Sequence, residues 1–550
     1  MQPLRPDTDR LRERLAALAA QDQRLAARLH LPVDDSHLRR LPDDKGGPVV
    51  YRLGRRWVPL SLGSEAAQAM LAPHGEPRRV LCFGVGLGET VQAALERWPR
   101  ATVVAWDRDP WLLRVALARH DWGAALRTGR LRLALASDLL RHLPWESAVV
   151  SHPVLDKVHG MERALLDHGV GSKRALMVTG ELFVDDLAEA LRHRGFTVLP
   201  WEVERHAVEE IAHNARLAQA SMAATINYTS GMAEACRAAG LPLICWEVDP
   251  TIDSARARGT TDHVWVFTHD PNNVQRYQTG GFEHVEYMPL ASNPRTRAPG
   301  PLPPDHPYAA TVSFVGSSML LQARRLRARF DGALDRWTAQ GGSSPPQDLP
   351  QRVLALQRQH PGRFLVSEAL DAALPGFRQA SIAAGLGDPG LMLGETAAAE
   401  KRLNTVVGLA GFGAQAWGDE GWRLIEQGGG RYRGRAGHGQ EINHIYQSST
   451  ISLDIDRLYQ RDIVTMRVFD VLACGGFVLA EHSPHLHELF EPGREIVSWR
   501  SYADLEAKVR HFLAHPEEAA AIACRGRERV LRDHTVDHRL DHMLAVSGLG

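Results

Sequence analysis

The stretch DIVTMRVFDVLACGGFVLAEHSPHLHELFEPGREIVSW, residues 462–499, carries the pattern from which the rest of the chain can be read. Its apolar residues first recur at helical spacing, which predicts a helix over 465–473. Gly475 and Gly476 then end that helix, since glycine takes the left-handed backbone of helix stops without a steric cost. FVLAE follows as a short apolar run fit for a buried strand, and PHLHELF returns to helical spacing. Helix, glycine turn, buried strand and helix are the parts of a parallel α/β sheet. The unpaired N–H groups at the start of the first helix suit an anion such as a diphosphate. Arg467 sits on its first turn and can add charge-assisted hydrogen bonds, while Asp470, further along, can accept from ribose hydroxyls. Gly475 and Gly476 would let the strand begin close to a ligand with no Cβ between them.

The same texture recurs upstream. RVLCFGVGLG (79–88), TVVAWDRD (102–109), RLRLALASD (130–138) and ESAVVSHPV (146–154) are apolar runs separated by helical stretches such as ETVQAALERW. A second series runs from RALMVTG (174–180) through FTVLPWEVE, AATINYTSG, LPLICWEVD and HVWVFTHD to HVEYMPLA (284–291). NPRTRAPGPLPPDHPY (293–308) reads as a stiff proline-rich linker, after which ATVSFVGSS (310–318) opens a third series. That series continues through TVVGLAG, RYRGRAG, STISLDI and GGFVLAE, with AQGGSSPPQDLP (339–350) as an exposed loop. Alternating strands and helices imply an α/β protein of three Rossmann-like units. The boundaries fall at 1–165, 172–296 and 305–535, with 536–550 a terminal helix or tail. The first 70 residues add an amphipathic helix and a short strand pair.

A net charge of −1 supplies no field that would draw the chain to nucleic acid or anionic lipid. No run approaches the ~20 apolar residues of a membrane span, and the charged N-terminus lacks the apolar core of a signal peptide. The five cysteines are scattered and unpaired, which fits buried free thiols in a reducing cytoplasm.

The run 467–497 resembles the C-terminal signature of the CgeB-like (spore-maturation-type) glycosyltransferases. HPEEAAAIACRGRERVLRDHTVDHRL (515–540) is similar to that family's closing helices, and ATVSFVGSS, RYRGRAG and INHIYQSSTISLDI match in order and spacing. The resemblance spans about residues 172–545. It implies a GT-B fold built from the last two units, with a nucleotide sugar (UDP-, GDP- or dTDP-linked) on the third unit and no required metal or other cofactor. The acceptor would be a hydroxyl on a protein such as flagellin, or on a surface glycan. Many retaining members carry two glutamates seven residues apart, and here that spacing falls on Asp462 and Asp470. Gly316, Ser317 and Ser318 form a strand-to-helix turn of the kind that cradles phosphate. Glu181, Glu247 and Asp249, at the carboxyl ends of middle-unit strands, are candidate general bases, with helix caps or solvated loops as the alternative reading.

Two other classes stay open. Gly84, Gly86 and Gly88 after a strand, with Asp107 and Asp109 ending the next, have the spacing of an S-adenosylmethionine site, so a methyltransferase or a methyltransferase–glycosyltransferase fusion is one alternative. The first unit also resembles the leader domain of motility-associated glycosyltransferases, which need not be catalytic. A non-catalytic binding scaffold is the other alternative. His482, His485 and His487, and His534, His538 and His542, have spacings that could serve a metal, although the family resemblance implies none.

Overall fold

The computed structural model describes all residues except 1, 32–37, 42–47, 54–55, 169–172, 181, 202, 204–214, 216–217, 250–256, 258, 303–305, 438 and 461. The chain folds as two compact units. One comprises residues 1–180, 191–223 and 238–241, and the other residues 181–190, 224–237 and 242–550.

In the first unit, helices Thr8–Ala19 and Gln23–His30 are capped by the side chains of Asp7 and Asp22. Their apolar stripes (Leu11, Leu15, Leu18; Leu25, Leu29) are buried, as the period of an amphipathic helix requires. Strands Arg79–Phe83, Thr102–Asp107, Leu131–Leu135 and Ala148–Ser151 form a parallel sheet of order 3-2-1-4 along the chain. Val80, Leu81, Cys82 and Phe83 are fully buried, as expected of a strand covered on both faces. A four-stranded antiparallel sheet from residues 2–59 completes the amino-terminal part.

The boundary between the units runs through the strand Met222–Ile226. From Met222–Ile226 onward the sheet in the second unit runs in chain order. Leu243–Glu247, Val264–Thr268 and His284–Tyr287 are its parallel members in the second unit. The second unit also holds a complete six-stranded parallel sheet made of Ala310–Val315, Ala414–Trp417, Arg431–Tyr432, Ser449–Leu453, Val478–Glu481 and Val497–Trp499. Its order is 3-2-1-4-5-6, so it reverses direction between Ala310–Val315 and Ser449–Leu453. The α/β class with parallel Rossmann-type sheets is thus as the strand–helix alternation implies.

One segment departs from the sequence reading. TVVGLAG does not belong to the strand series, because Thr405–Gly408 ends the helix Pro389–Gly408 and the strand lies beyond it at Ala414–Trp417. That helix is buried along much of its length, and an apolar run buried on all sides carries no period to tell helix from strand. Between the first two strands of this sheet the chain inserts five helices: Leu320–Ala339, Leu349–Gln359, Val366–Ala373, Phe377–Ala383 and Pro389–Gly408.

The closing helix Val536–Ser547 packs back on the middle strands of the same unit. Arg539 donates to the carbonyls of Pro289 and Leu290 at 2.8 and 3.1 Å, and His542 meets Glu286 at 2.7 Å. His534, just before it, donates Nε2–H to the Leu489 carbonyl and receives a hydrogen bond from Arg539 on Nδ1. Burial, then the Arg539 charge, pull the His534 imidazole down to about 4. An unfolded histidine binds its proton near 6.5, so between pH 6.5 and 4 the unfolded chain holds the extra proton. Stability is therefore present above pH 6.5 and lost as pH falls toward 4. Urea titrations across that window should show a steeper loss for wild type than for His534→Gln, and equal losses would remove His534 as the cause.

Cys82, Cys236, Cys245 and Cys474 are buried free thiols, but Cys524 is exposed on helix Pro516–Asp533, a correction to the expectation that all five are buried. Among the described residues no helix is long and apolar enough to cross a membrane.

Candidate functional site

Open parallel sheets bind ligands at the carboxyl ends of their strands, where the strand order reverses. In the six-stranded sheet that point lies between Val315 and Leu453, flanked by the turns Gly316–Ser318 and Asp454–Asp456. Helix Met466–Ala473 begins beside it, with Thr465 bonded through its hydroxyl to Asp454 at 2.6 Å. Arg467, on the first turn, is fixed by Asp454 at 2.5 Å, by the Val315 carbonyl at 2.9 Å and by the Phe314 ring, 4.5 Å from its guanidinium. Gly316 permits this approach: its φ is +153°, and a Cβ there would lie 2.7 Å from Arg467 Nη2.

A second guanidinium reaches the same turn from helix Pro389–Gly408. Arg402 is buried and donates to the carbonyls of Ser317 (3.1 Å) and Ile455 (2.9 Å), 5.5 Å from the Phe314 ring. Burial first, and then the charges of Arg467 and Arg457, bring its guanidinium down to about 9. Among the described residues no carboxylate lies within ion-pair distance of Arg402, and its Nε has no partner. Asp454 and Glu395 act the other way without pairing with it, and an anion bound at this edge would give the buried cation a partner in contact. Sequence reasoning missed Arg402 because nothing in its local helical pattern marks it.

The other residues singled out from the sequence fall as follows. The turn Gly316–Ser318 is occupied by a carboxylate of the protein itself: Asp419 accepts from the Ser317 hydroxyl (2.7 Å), the Ser318 hydroxyl (2.5 Å) and the Ser318 N–H (2.8 Å). These hydrogen bonds hold the Asp419 carboxyl below its ordinary range against the opposing effect of burial. Asp470 is buried, with its oxygens facing the Ser292 hydroxyl (2.6 Å) and Arg297 Nε (3.2 Å). Burial raises its carboxyl above the usual range despite Arg297 and Ser292. A ribose would have to share or displace those partners. Gly475 takes φ +78° at the helix end, and a Cβ on Gly476 would collide with the Tyr446 carbonyl, so both glycines answer to the packing of the chain itself.

Asp462 stands at the middle sheet of the same unit. Asn272, on the first turn of helix Pro271–Thr279, donates to Asp462 at 3.1 Å and to Asp270 at 3.2 Å. Just before Asp270, the buried His269 donates Nδ1–H to the Glu247 carbonyl at 3.1 Å. Burial lowers this imidazole below its ordinary range although Glu247, Asp270 and Asp249 act the other way. The buried Glu247 accepts from Tyr277 (3.0 Å) and Asn273 (3.1 Å). Asp249 is exposed and is held by Asn227 at 3.0 Å, with Asn227 itself at φ +58°. Glu181 lies outside the described residues. His269 was not singled out from the sequence, although its place directly after the strand Val264–Thr268 is a signal that could have found it.

In the first unit, the spaces a ligand would need at the glycine turn are filled by protein. A Cβ on Gly84 would meet Leu155 at 2.7 Å, one on Gly86 would meet His152 at 2.8 Å, and one on Gly88 would meet His120 at 2.7 Å. Asp107 is fully buried and accepts from the N–H groups of Val85 (2.8 Å), Gly86 (3.3 Å) and Asp109 (3.0 Å). Its carboxylate caps the turn from within, where a ribose would need it facing outward. Calorimetry with S-adenosylmethionine is expected to show no saturable heat, whereas micromolar binding would reopen this turn as a cofactor site.

The candidate metal histidines have separate partners. His534 bonds Leu489 and Arg539, His538 caps its own helix through Thr535, and His542 pairs with Glu286. His485 pairs with Glu488, and His487 meets Ser498. Among the described residues no group of three or more His, Cys, Asp or Glu is placed to hold a metal ion.

Residues 394–545 match a family model described as glycosyl transferase-like. That segment is similar to a glycosyltransferase family. It contains Arg402, Asp454 and Arg467, the groups gathered at the strand-order reversal. The chain is similar to a number of solved structures. The HepE protein of Anabaena, in complex with UDP and glucose, is 9% identical over 68% of this chain and 100% of its own, with a TM-score of 0.40. Sucrose-phosphate synthase of Thermosynechococcus elongatus is 11% identical over 68% of this chain and 98% of its own, with a TM-score of 0.39. A glycosyltransferase of Rickettsia africae is 12% identical over 68% and 97%, with a TM-score of 0.39. No curated protein matches the chain in sequence.

Proposed function

We propose that the chain transfers a sugar from a nucleoside-diphosphate sugar to a hydroxyl of a protein or glycan in the cytoplasm, with the second unit working as a GT-B enzyme of CgeB-like type. The observation that carries this reading is Arg402, a buried guanidinium without a carboxylate partner at the edge where the sheet order reverses. Together with Arg467 it would hold the donor diphosphate, and both charges would stabilise the negative charge that develops as the nucleotide leaves. Ser317 and Ser318 would complete the cradle as Asp419 yields to phosphate. Asp462, tied through Asn272 to the middle sheet, would face the donor sugar, and Asp249 or the neutral His269 would receive the proton of an attacking hydroxyl. With the leaving phosphate and the protein supplying all charges, the step needs no metal.

The test is calorimetry with UDP-glucose, GDP-mannose and dTDP-glucose on wild type and on Arg402→Met. Methionine removes the buried charge together with the donors to the Ser317 and Ile455 carbonyls, so a urea unfolding curve beside each titration confirms that the variant is folded. Saturable binding of one donor, lost in Arg402→Met, is the expected result. A donor bound equally by both proteins would sink the assignment.

A further inference from the structure

Helix Pro389–Gly408 offers a second face to a cavity of about 450 Å³, distinct from the face that carries Arg402. Cavities of roughly 300–1,000 Å³ with mostly apolar walls and a few polar groups are the usual form of small-molecule sites. Here Tyr502, Pro361 and Leu458 supply apolar wall. Tyr502 is 40% exposed, unusual for a large aromatic side chain in this protein. Gly408 makes room for its ring, since a Cβ there would lie 2.5 Å from the phenol oxygen.

The polar groups define what the cavity would take. Arg358 is bound by Glu400 through two hydrogen bonds of 2.8 and 3.0 Å. Lys401 is held by both oxygens of Glu481, at 2.5 and 2.6 Å. Each cation lining the cavity is thus already neutralised, which selects against a phosphate or carboxylate ligand. The amide of Asn404 is exposed and has no hydrogen-bond partner among the described residues. What remains is an aromatic wall beside an open amide and a planar guanidinium–carboxylate pair with spare donors and acceptors. A pyranose matches this set, having an apolar C–H face for the ring and adjacent hydroxyls that each donate and accept.

We propose that this cavity is a second sugar site, which binds a neutral pyranose apart from the donor crevice. The site stands on its own geometry, whatever the crevice binds. It also adjoins the crevice in the chain: Lys401 precedes Arg402, and Leu458 follows Arg457. Lys401 Nζ further donates to the Asp456 carbonyl at 3.3 Å. Occupancy would therefore bear on the loop that holds the arginine cluster.

Saturation-transfer NMR on the full chain tests this, with the methyl glycosides of glucose, galactose, mannose and N-acetylglucosamine as probes. Asn404→Trp fills the cavity, Tyr502→Ala removes its wall, and Arg467→Ala disables the crevice alone. Transfer to at least one glycoside is expected in wild type and in Arg467→Ala. In both cavity variants affinity should drop at least about tenfold, the equivalent of one lost contact. Circular dichroism should show both variants folded, since both positions are exposed. No transfer to any of the glycosides, or transfer lost in Arg467→Ala and kept in the cavity variants, overturns the proposal.

Discussion

Replacing Arg467 with alanine is expected to weaken nucleotide-sugar binding roughly 30- to 100-fold, about 2–3 kcal/mol, the worth of a charge-assisted hydrogen bond to an anion. The side chain is held ready for that task. Asp454 fixes Nη1, the Val315 carbonyl fixes Nε, and Nη2 lies against the bare backbone of Gly316. Alanine also leaves the buried Asp454 without its cation, so unfolding in urea should occur at lower denaturant. Arg467→Lys separates the two effects: it restores a charge near Asp454 but not the planar fork, so its stability should recover further than its affinity. The readout is the calorimetric Kd beside the urea midpoint for each variant. A Kd unchanged in Arg467→Ala would move the diphosphate away from helix Met466–Ala473.

The chain shows its fold in sequence where the signals are local. The helix over 465–473, its glycine stop and the strand after it are neighbours in the chain, and the structure has Met466–Ala473 and Val478–Glu481 there. Strands such as Arg79–Phe83 and Leu243–Glu247 announce themselves as short apolar runs between turns. The site is harder to read, because its parts meet only through the topology. Arg402 and Arg467 converge on Phe314 from helices far apart in the chain, and the five inserted helices carry no motif that predicts the encounter. Asp419 was invisible for the same reason: its carboxylate closes on Ser317 and Ser318 from the end of a neighbouring strand. Asp470 was legible as a conspicuous acid on its helix, but its partners Ser292 and Arg297 come from just before and within the linker, and sequence spacing cannot show that such a group is buried.

Trp422→Ala should lower the unfolding free energy by about 3–5 kcal/mol, the usual cost of deleting a large buried aromatic. Trp422 is fully buried in the core of the six-stranded sheet, 5.1 Å from the Phe314 ring, and its Nε1 donates to the Gly316 carbonyl at 2.8 Å. Gly418 accommodates it, since a Cβ there would sit 2.9 Å from the indole. Phe314 is the ring beneath both Arg467 and Arg402, so this tryptophan supports the floor of the crevice as well as the core. Trp422→Phe keeps most of the packing and removes the hydrogen bond to Gly316, which should cost only about 0.5–1.5 kcal/mol of stability. Its donor affinity should nevertheless drop several-fold, because the Gly316–Ser318 turn loses the anchor that sets its distance from Arg467. Urea unfolding and donor calorimetry on the two variants distinguish the roles. If Trp422→Phe binds the donor as wild type does, the indole serves the core alone, and the turn is positioned by Asp419 and Arg402 without it.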